Sequence, residues 1–204
     1  MARADEQYEQ VQPETRAAWR RWLARNHASS PGVWVIAWKK ASGRVSPSYD
    51  DMVEEALCYG WVDSRPMRID EERAALLYTP RKPKSVWAAT NKARVERLIA
   101  AGLMQPAGLA TIEVAKRNGS WETLTAVEAM TEPDDLVRAF AKQRTARKHW
   151  DAFPPGERKR ILAWITMAKR EETRAKRIEE TVTLAAQNVR ANLWVPKEQR
   201  ADGA

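Results

Sequence analysis

Between Val33 and Trp38 every residue is apolar, with Trp34, Ile36 and Trp38 at one parity and Val33, Val35 and Ala37 at the other. A strand built from these residues is hydrophobic on both faces and must be covered on both, which makes it a central strand of a sheet. Ser30-Pro31-Gly32 marks a turn before it and Ser42-Gly43 ends it. Upstream, Pro13 opens a helix to about Asn26 that carries Trp19, Trp22 and Leu23 on one side. Downstream, Ser48 and Asp51 have the spacing of a capping box, Tyr49, Met52, Val53, Ala56 and Leu57 mark one face of a short helix, and Gly60 is placed to stop it. Trp61–Ile69 and Ala74–Thr79 then read as two strands joined through Asp70-Glu71-Glu72. The N-terminal part is therefore expected to be α+β, with a small antiparallel sheet.

After Pro83 the periodicity is helical. Ser85 to Ala101 carries Trp87, Asn91, Val95, Leu98 and Ile99 on one face and meets Gly102, and Pro106 suits the first turn of a helix to Arg117. Beyond Asn118-Gly119, helices are expected over 133–141, 143–151, 155–169 and 171–188. These patterns divide the chain into an α+β unit over 1–118, including helices at 85–101 and 106–117, and a C-terminal helical module over 119–204.

Ten Trp against two Phe give a core of large rings whose N–H groups need acceptors, so polar groups will be drawn inside. A single cysteine, Cys58, excludes an internal disulfide and fits a reducing compartment. His27, His149 and Cys58 are too scattered for a zinc site, and no Rossmann, P-loop or zinc-finger spacing occurs, so neither metal nor cofactor is expected. The N-terminus MARADEQYEQ lacks the apolar segment of a signal peptide, and no apolar run could span a bilayer, which together predict a cytoplasmic protein. The net charge of +8 concentrates between Lys142 and Arg177, where twelve basic residues meet four acidic ones.

The stretch from residue 56 to 108 places Trp61, Tyr78 and Trp87 beside Asp63, Arg65, Arg81 and Asn91, the mixture that a polar pocket with apolar walls requires and that the edge of a core also displays. Asn91 falls on the apolar face of its helix, as a ligand contact or as a tie to neighbouring backbone. Arg81, Lys82 and Lys84 precede the expected helix start at Ser85, where free N–H groups favour an anion, although Asp63 or Asp70 could supply the compensating charge. Lys39 ends the first strand. These residues define the candidate binding set Lys39, Trp61, Asp63, Arg81, Ser85, Trp87 and Asn91, for a small anionic ligand or a peptide. Two alternatives stand beside it. Lys169, Arg170, Arg174 and Arg177 could form a nucleic-acid patch, or the ordinary solvated face of a helix. Asp63 could serve a small-molecule enzyme as acid or base, given a burial-raised pKa. No catalytic constellation is recognised.

The motifs W-x2-WL-x2-NH (19–27), GVWVIAWKK, LCYGWVDS, YTPRKPKSVW-x3-N and GLMQPAG, with the tail ILAWITMAKREETRAKRIEE, resemble the bacterial YdeI/OmdA family of bacteriocin-protection or OmpD-associated proteins. The resemblance spans most of residues 15 to 190. It implies a role in tolerance of antimicrobial peptides or other stress, an N-terminal unit like the YjbR/frataxin fold and a C-terminal helical module. It supplies no catalytic residue.

Overall fold

The computed structural model describes residues 8–193, and the chain divides into two compact units, Met1–Glu122 and Thr123–Ala204. The first unit contains β1 (Glu9–Val11), α1 (Arg16–Asn26), β2 (Val33–Trp38), α2 (Tyr49–Cys58), β3 (Trp61–Arg68), β4 (Arg73–Pro80), α3 (Ala89–Ala100) and α4 (Pro106–Arg117). The fold class is α+β. The sheet order is β1-β2-β4-β3, with β2 and β4 antiparallel, β4 and β3 antiparallel, and β1 parallel to β2. The sheet is thus mixed rather than purely antiparallel, because three residues, Glu9 to Val11, add a border strand that no apolar alternation announces.

β2 lies inside the sheet, as its two apolar faces require. On one side Val33, Val35 and Tyr78 join Trp19, Leu23, Met52, Val53, Leu57, Trp61, Trp87, Val95 and Ile112 in the main core. On the other, Trp34, Ile36, Ala75 and Leu77 form a second layer against Tyr8, Met67 and Ile69. Two buried indole N–H groups find backbone acceptors: Trp19 donates to Met52 O at 3.0 Å and Trp61 to His27 O at 3.1 Å. Border strand β3 carries Pro66 and breaks register between Asp63 and Pro66, an arrangement that proline tolerates only at a sheet edge or a bulge.

Ser48 and Asp51 form the reciprocal capping box that starts α2. An ionic cluster then clamps three helices together. Arg16 reaches Asp51 at 2.8 Å, Glu54 at 3.1 Å and Glu55 at 2.7 Å, Arg20 reaches Glu55 at 2.6 Å, and Arg97 reaches Glu54 at 3.0 Å. Glu55 is buried and needs both guanidinium partners to offset its desolvation.

α4 approaches α2 more closely than any side chain would permit. A Cβ on Gly108 would lie 2.3 Å from Cys58 O and 2.7 Å from Leu57 O, so only glycine allows this contact. Gly60, at φ +76°, makes the turn that follows and would itself meet Thr111 and the Ala107 carbonyl. Gln105 N–H closes the junction by donating to Cys58 O.

The second unit is helical: α5 (Thr125–Glu128), α6 (Asp134–Ala141), α7 (Arg144–Ala152), α8 (Pro155–Thr166) and α9 (Glu171–Ala186). Leu136, Phe140, Trp150, Ile161, Leu162 and Ile165 are fully buried in it, and α9 packs on α6, α7 and α8. Trp150 donates to Glu132 at 2.8 Å. Among the described residues no helix is long and apolar enough to cross a membrane.

Candidate functional site

Residues 81–88 leave β4 as an ordered loop rather than as the first turn of a helix. Ser85 N–H donates to Lys82 O, and α3 starts only at Ala89 with Ala88 as an N-cap that offers no side-chain bond. The helix expected from Ser85 is therefore four residues shorter at its start, because Trp87 must turn inward to a 1% exposed position in the main core. Three bonds hold the loop in place. Arg81 N–H donates to Gly60 O at 2.9 Å, and Asn118 Nδ2 and Ser120 Oγ both donate to Pro83 O, at 2.8 and 3.3 Å.

Arg81 is 9% exposed. Its guanidinium carbon lies 3.7 Å from the centroid of the Trp87 ring, a desolvated cation–π contact, and Trp87 in turn packs on Trp121 with centroids 4.9 Å apart. Nη2 donates to Val86 O at 2.5 Å. Nε and Nη1 are buried without a hydrogen-bond partner, as is the indole N–H of Trp87. Among the described residues five buried side-chain polar atoms lack a partner, and four belong to Tyr78, Arg81 and Trp87. Burial pushes the Arg81 guanidinium down to about 10, against a smaller upward pull from Asp63. It remains a cation at neutral pH. Burial also pushes the Tyr78 hydroxyl up, with Asp63 adding to the rise.

A cavity of about 150 Å³ borders this group, walled by Arg81, Lys82, Pro83 and Trp87 from the loop and by Ala110, Thr111 and Val114 from α4. Thr111 Oγ1 donates back to Gly108 O at 2.8 Å. The close approach at Gly108 seats α4, which carries this wall, against the end of α2.

Of the residues singled out in the sequence, Arg81, Lys82 and Trp87 line this cavity, and Trp61, Lys39, Ser85, Asn91 and Asp63 are not among its walls. Trp61 is a core ring, edge-on to Trp22 and bonded to His27 O. Lys39 reaches the β3–β4 turn, where Nζ donates to Asp70 O at 2.9 Å and Glu71 O at 3.0 Å. Ser85 belongs to the loop and starts no helix. Asn91 accepts from Arg94 Nη1 at 2.8 Å, and Arg94 also pairs with Asp50 at 2.5 Å, so the amide is half-buried in a polar group on α3. Asp63 accepts from the Tyr49 hydroxyl at 2.9 Å. The cavity beside Arg81 is bounded by the loop and α4. Ala110, Thr111 and Val114 complete the walls and carry no signal in the sequence.

The basic segment of the second unit is heavily engaged with its own surroundings. Arg174 grips Asp135 through two bonds of 2.6 and 2.9 Å, and Arg177 bonds to Trp164 O and lies 4.9 Å over that ring. Arg147 pairs with Glu132 and Asp151, and Lys159 with Glu128. Lys169 and Arg170 are exposed just ahead of α9. Counted over residues 123–204, sixteen basic residues face twelve acidic ones, so acids outside 142–177 dilute the charge of that segment. Among the described residues no group of three or more His, Cys, Asp or Glu could hold a metal.

Two family models match the chain. Residues 129–188 match the family described as Bacteriocin-protection, YdeI or OmpD-Associated, and residues 11–111 match a domain of unknown function (DUF8412). No curated protein and no solved structure matches.

Proposed function

We propose that this chain, which carries a bacteriocin-protection, YdeI or OmpD-associated domain over residues 129–188, acts in that protection or in a related stress response as a binding protein, and that its N-terminal unit takes up a small anionic ligand beside Arg81. One observation carries the ligand reading. Arg81 and Trp87, which line the cavity, hold three buried donors without acceptors: two guanidinium nitrogens and an indole N–H. Unpartnered buried donors are costly, and charged ones more so, and an anion in the cavity would satisfy them. Lys82, exposed on the same wall, would add attraction for the incoming charge.

Nucleic-acid binding through Lys169, Arg170, Arg174 and Arg177 draws less support, because Arg174 and Arg177 already have partners within their own unit. The binding reading is tested by a thermal-shift panel of phosphate, acetate and short organic acids on the wild type and on Arg81→Ala. The expected result is that at least one anion raises the wild-type Tm at millimolar concentration and leaves the variant unmoved. A panel that moves neither protein overturns it.

A further inference from the structure

The walls of the Arg81 cavity narrow the chemistry of what it would hold. This step rests on the anion-binding reading above. About 150 Å³ is close to the size of an apolar cavity that admits benzene, so a body of about six carbon atoms would fill it. Across from the loop, the α4 wall is Ala110, Thr111 and Val114. Thr111 commits its hydroxyl proton to Gly108 O, so that wall provides no further donor. Polar groups stand on one side only.

That asymmetry separates two kinds of anion. A phosphate or sulfate carries charge and acceptor oxygens in all directions, and those turned from Arg81 would lie against carbon with their hydration removed. A carboxylate has both oxygens at one end and a single charge to match a single buried guanidinium. Its two oxygens can accept from one free guanidinium nitrogen, Nε or Nη1, whose N–H bonds lie on different edges, and from the Trp87 indole N–H. The remainder of such a molecule can be purely apolar. We infer that the cavity is a site for a small monocarboxylate with a compact apolar body, aromatic or branched aliphatic, its carboxylate on Arg81 and its hydrocarbon against Pro83, Trp87 and Val114.

The test uses the full ¹⁵N-labelled chain titrated at constant ionic strength with benzoate, isovalerate, inorganic phosphate and the neutral benzamide. The indole N–H resonance of Trp87, assigned through Trp87→Phe, reports binding. The expected result is a saturable shift with benzoate or isovalerate, at a Kd at least about tenfold below those of phosphate and benzamide. Arg81→Lys, which keeps the charge and changes the donors, is expected to weaken carboxylate binding by about tenfold or more. Ala110→Phe, at an exposed position on α4, is expected to block the cavity while the rest of the spectrum stays unchanged. If phosphate binds and the carboxylates do not, the ligand class is wrong and the anion reading survives. If none of the probes shifts the resonance, both fall. A carboxylate shift that persists in Arg81→Lys and in Ala110→Phe places binding elsewhere and overturns the inference.

Discussion

Replacing Gly108 by alanine tests the contact on which the cavity wall depends. The new Cβ would stand 2.3 Å from Cys58 O and 2.7 Å from Leu57 O, both backbone atoms that cannot rotate away. Ordinary van der Waals contact begins near 3.4 Å, so α4 would have to withdraw from α2 by about 1 Å. Ile112 and Ala115, buried on the inner face of α4, would lose part of their dispersion contact. Overpacking of this kind costs about 1–3 kcal/mol. The better helix propensity of alanine returns about 1 kcal/mol, leaving a net loss of up to about 2 kcal/mol. Gly156 is the internal control: it lies in the first turn of α8, is exposed, and a Cβ there meets nothing within 4 Å. Gly156→Ala should stabilise its unit by up to about 1 kcal/mol. Urea titrations of both variants, followed by the indole N–H resonances of Trp19 and Trp61 in the first unit and Trp150 in the second, keep the two transitions apart. The same substitution is expected to change stability with opposite sign at the two positions. A Gly108→Ala protein as stable as the wild type, with unchanged m, would refute the packing argument. Loss of anion binding without loss of the fold would mark a displaced α4.

Glu55→Gln should destabilise the first unit by about 2 kcal/mol in urea titration. That is less than the about 3–5 kcal/mol of a fully buried broken pair, because the Arg16 and Arg20 side chains are 36% and 29% exposed; a loss below about 0.5 kcal/mol would remove the clamp from the account. In the second unit, the hydrogen bonds from Arg174 hold the Asp135 carboxyl below its usual range. The stability this contributes is complete above the unfolded pKa, near 3.9, and disappears as pH falls through the lower folded value. The stability difference between wild type and Arg174→Ala should therefore be constant near neutrality and shrink below about pH 4; a difference that holds its neutral value throughout acid unfolding contradicts the pairing.

Much of this architecture is legible in local chemistry. The doubly apolar Val33–Trp38 run, the Ser48–Asp51 box and Pro106 at a helix start lead directly to β2, α2 and α4. Where local propensity and tertiary burial compete, the sequence misleads. Residues 85–88 continue a helical period, yet the pull of Trp87 into the core and the anchoring of Pro83 O by Asn118 and Ser120 keep them in a loop. β1 is invisible because a three-residue parallel pairing needs no pattern of its own. Arg81 and Trp87 are recognisable as a charge beside a ring. Their opposing wall is not, since Ala110, Thr111 and Val114 are unremarkable helix residues until the fold brings them near. Gly108 inside the helical pattern Pro106 to Arg117 was the available clue, for a glycine there signals close backbone approach. Trp61, a core ring, and Asn91, a polar helix contact, share their composition with a pocket lining, so the sequence does not separate the two.

The two ends of the sheet bear on how the chain avoids self-association. An incoming strand would find three residues to pair with along β1, and along β3 a missing amide at Pro66 beside a break in register. The most hydrophobic strand, β2, therefore stays shielded from templated growth by a segment of just three residues. Detaching Glu9–Val11 would bare the hydrogen-bonding rim of Val33–Val35, and a stretch that is harmless inside the sheet would become a seed for fibrils.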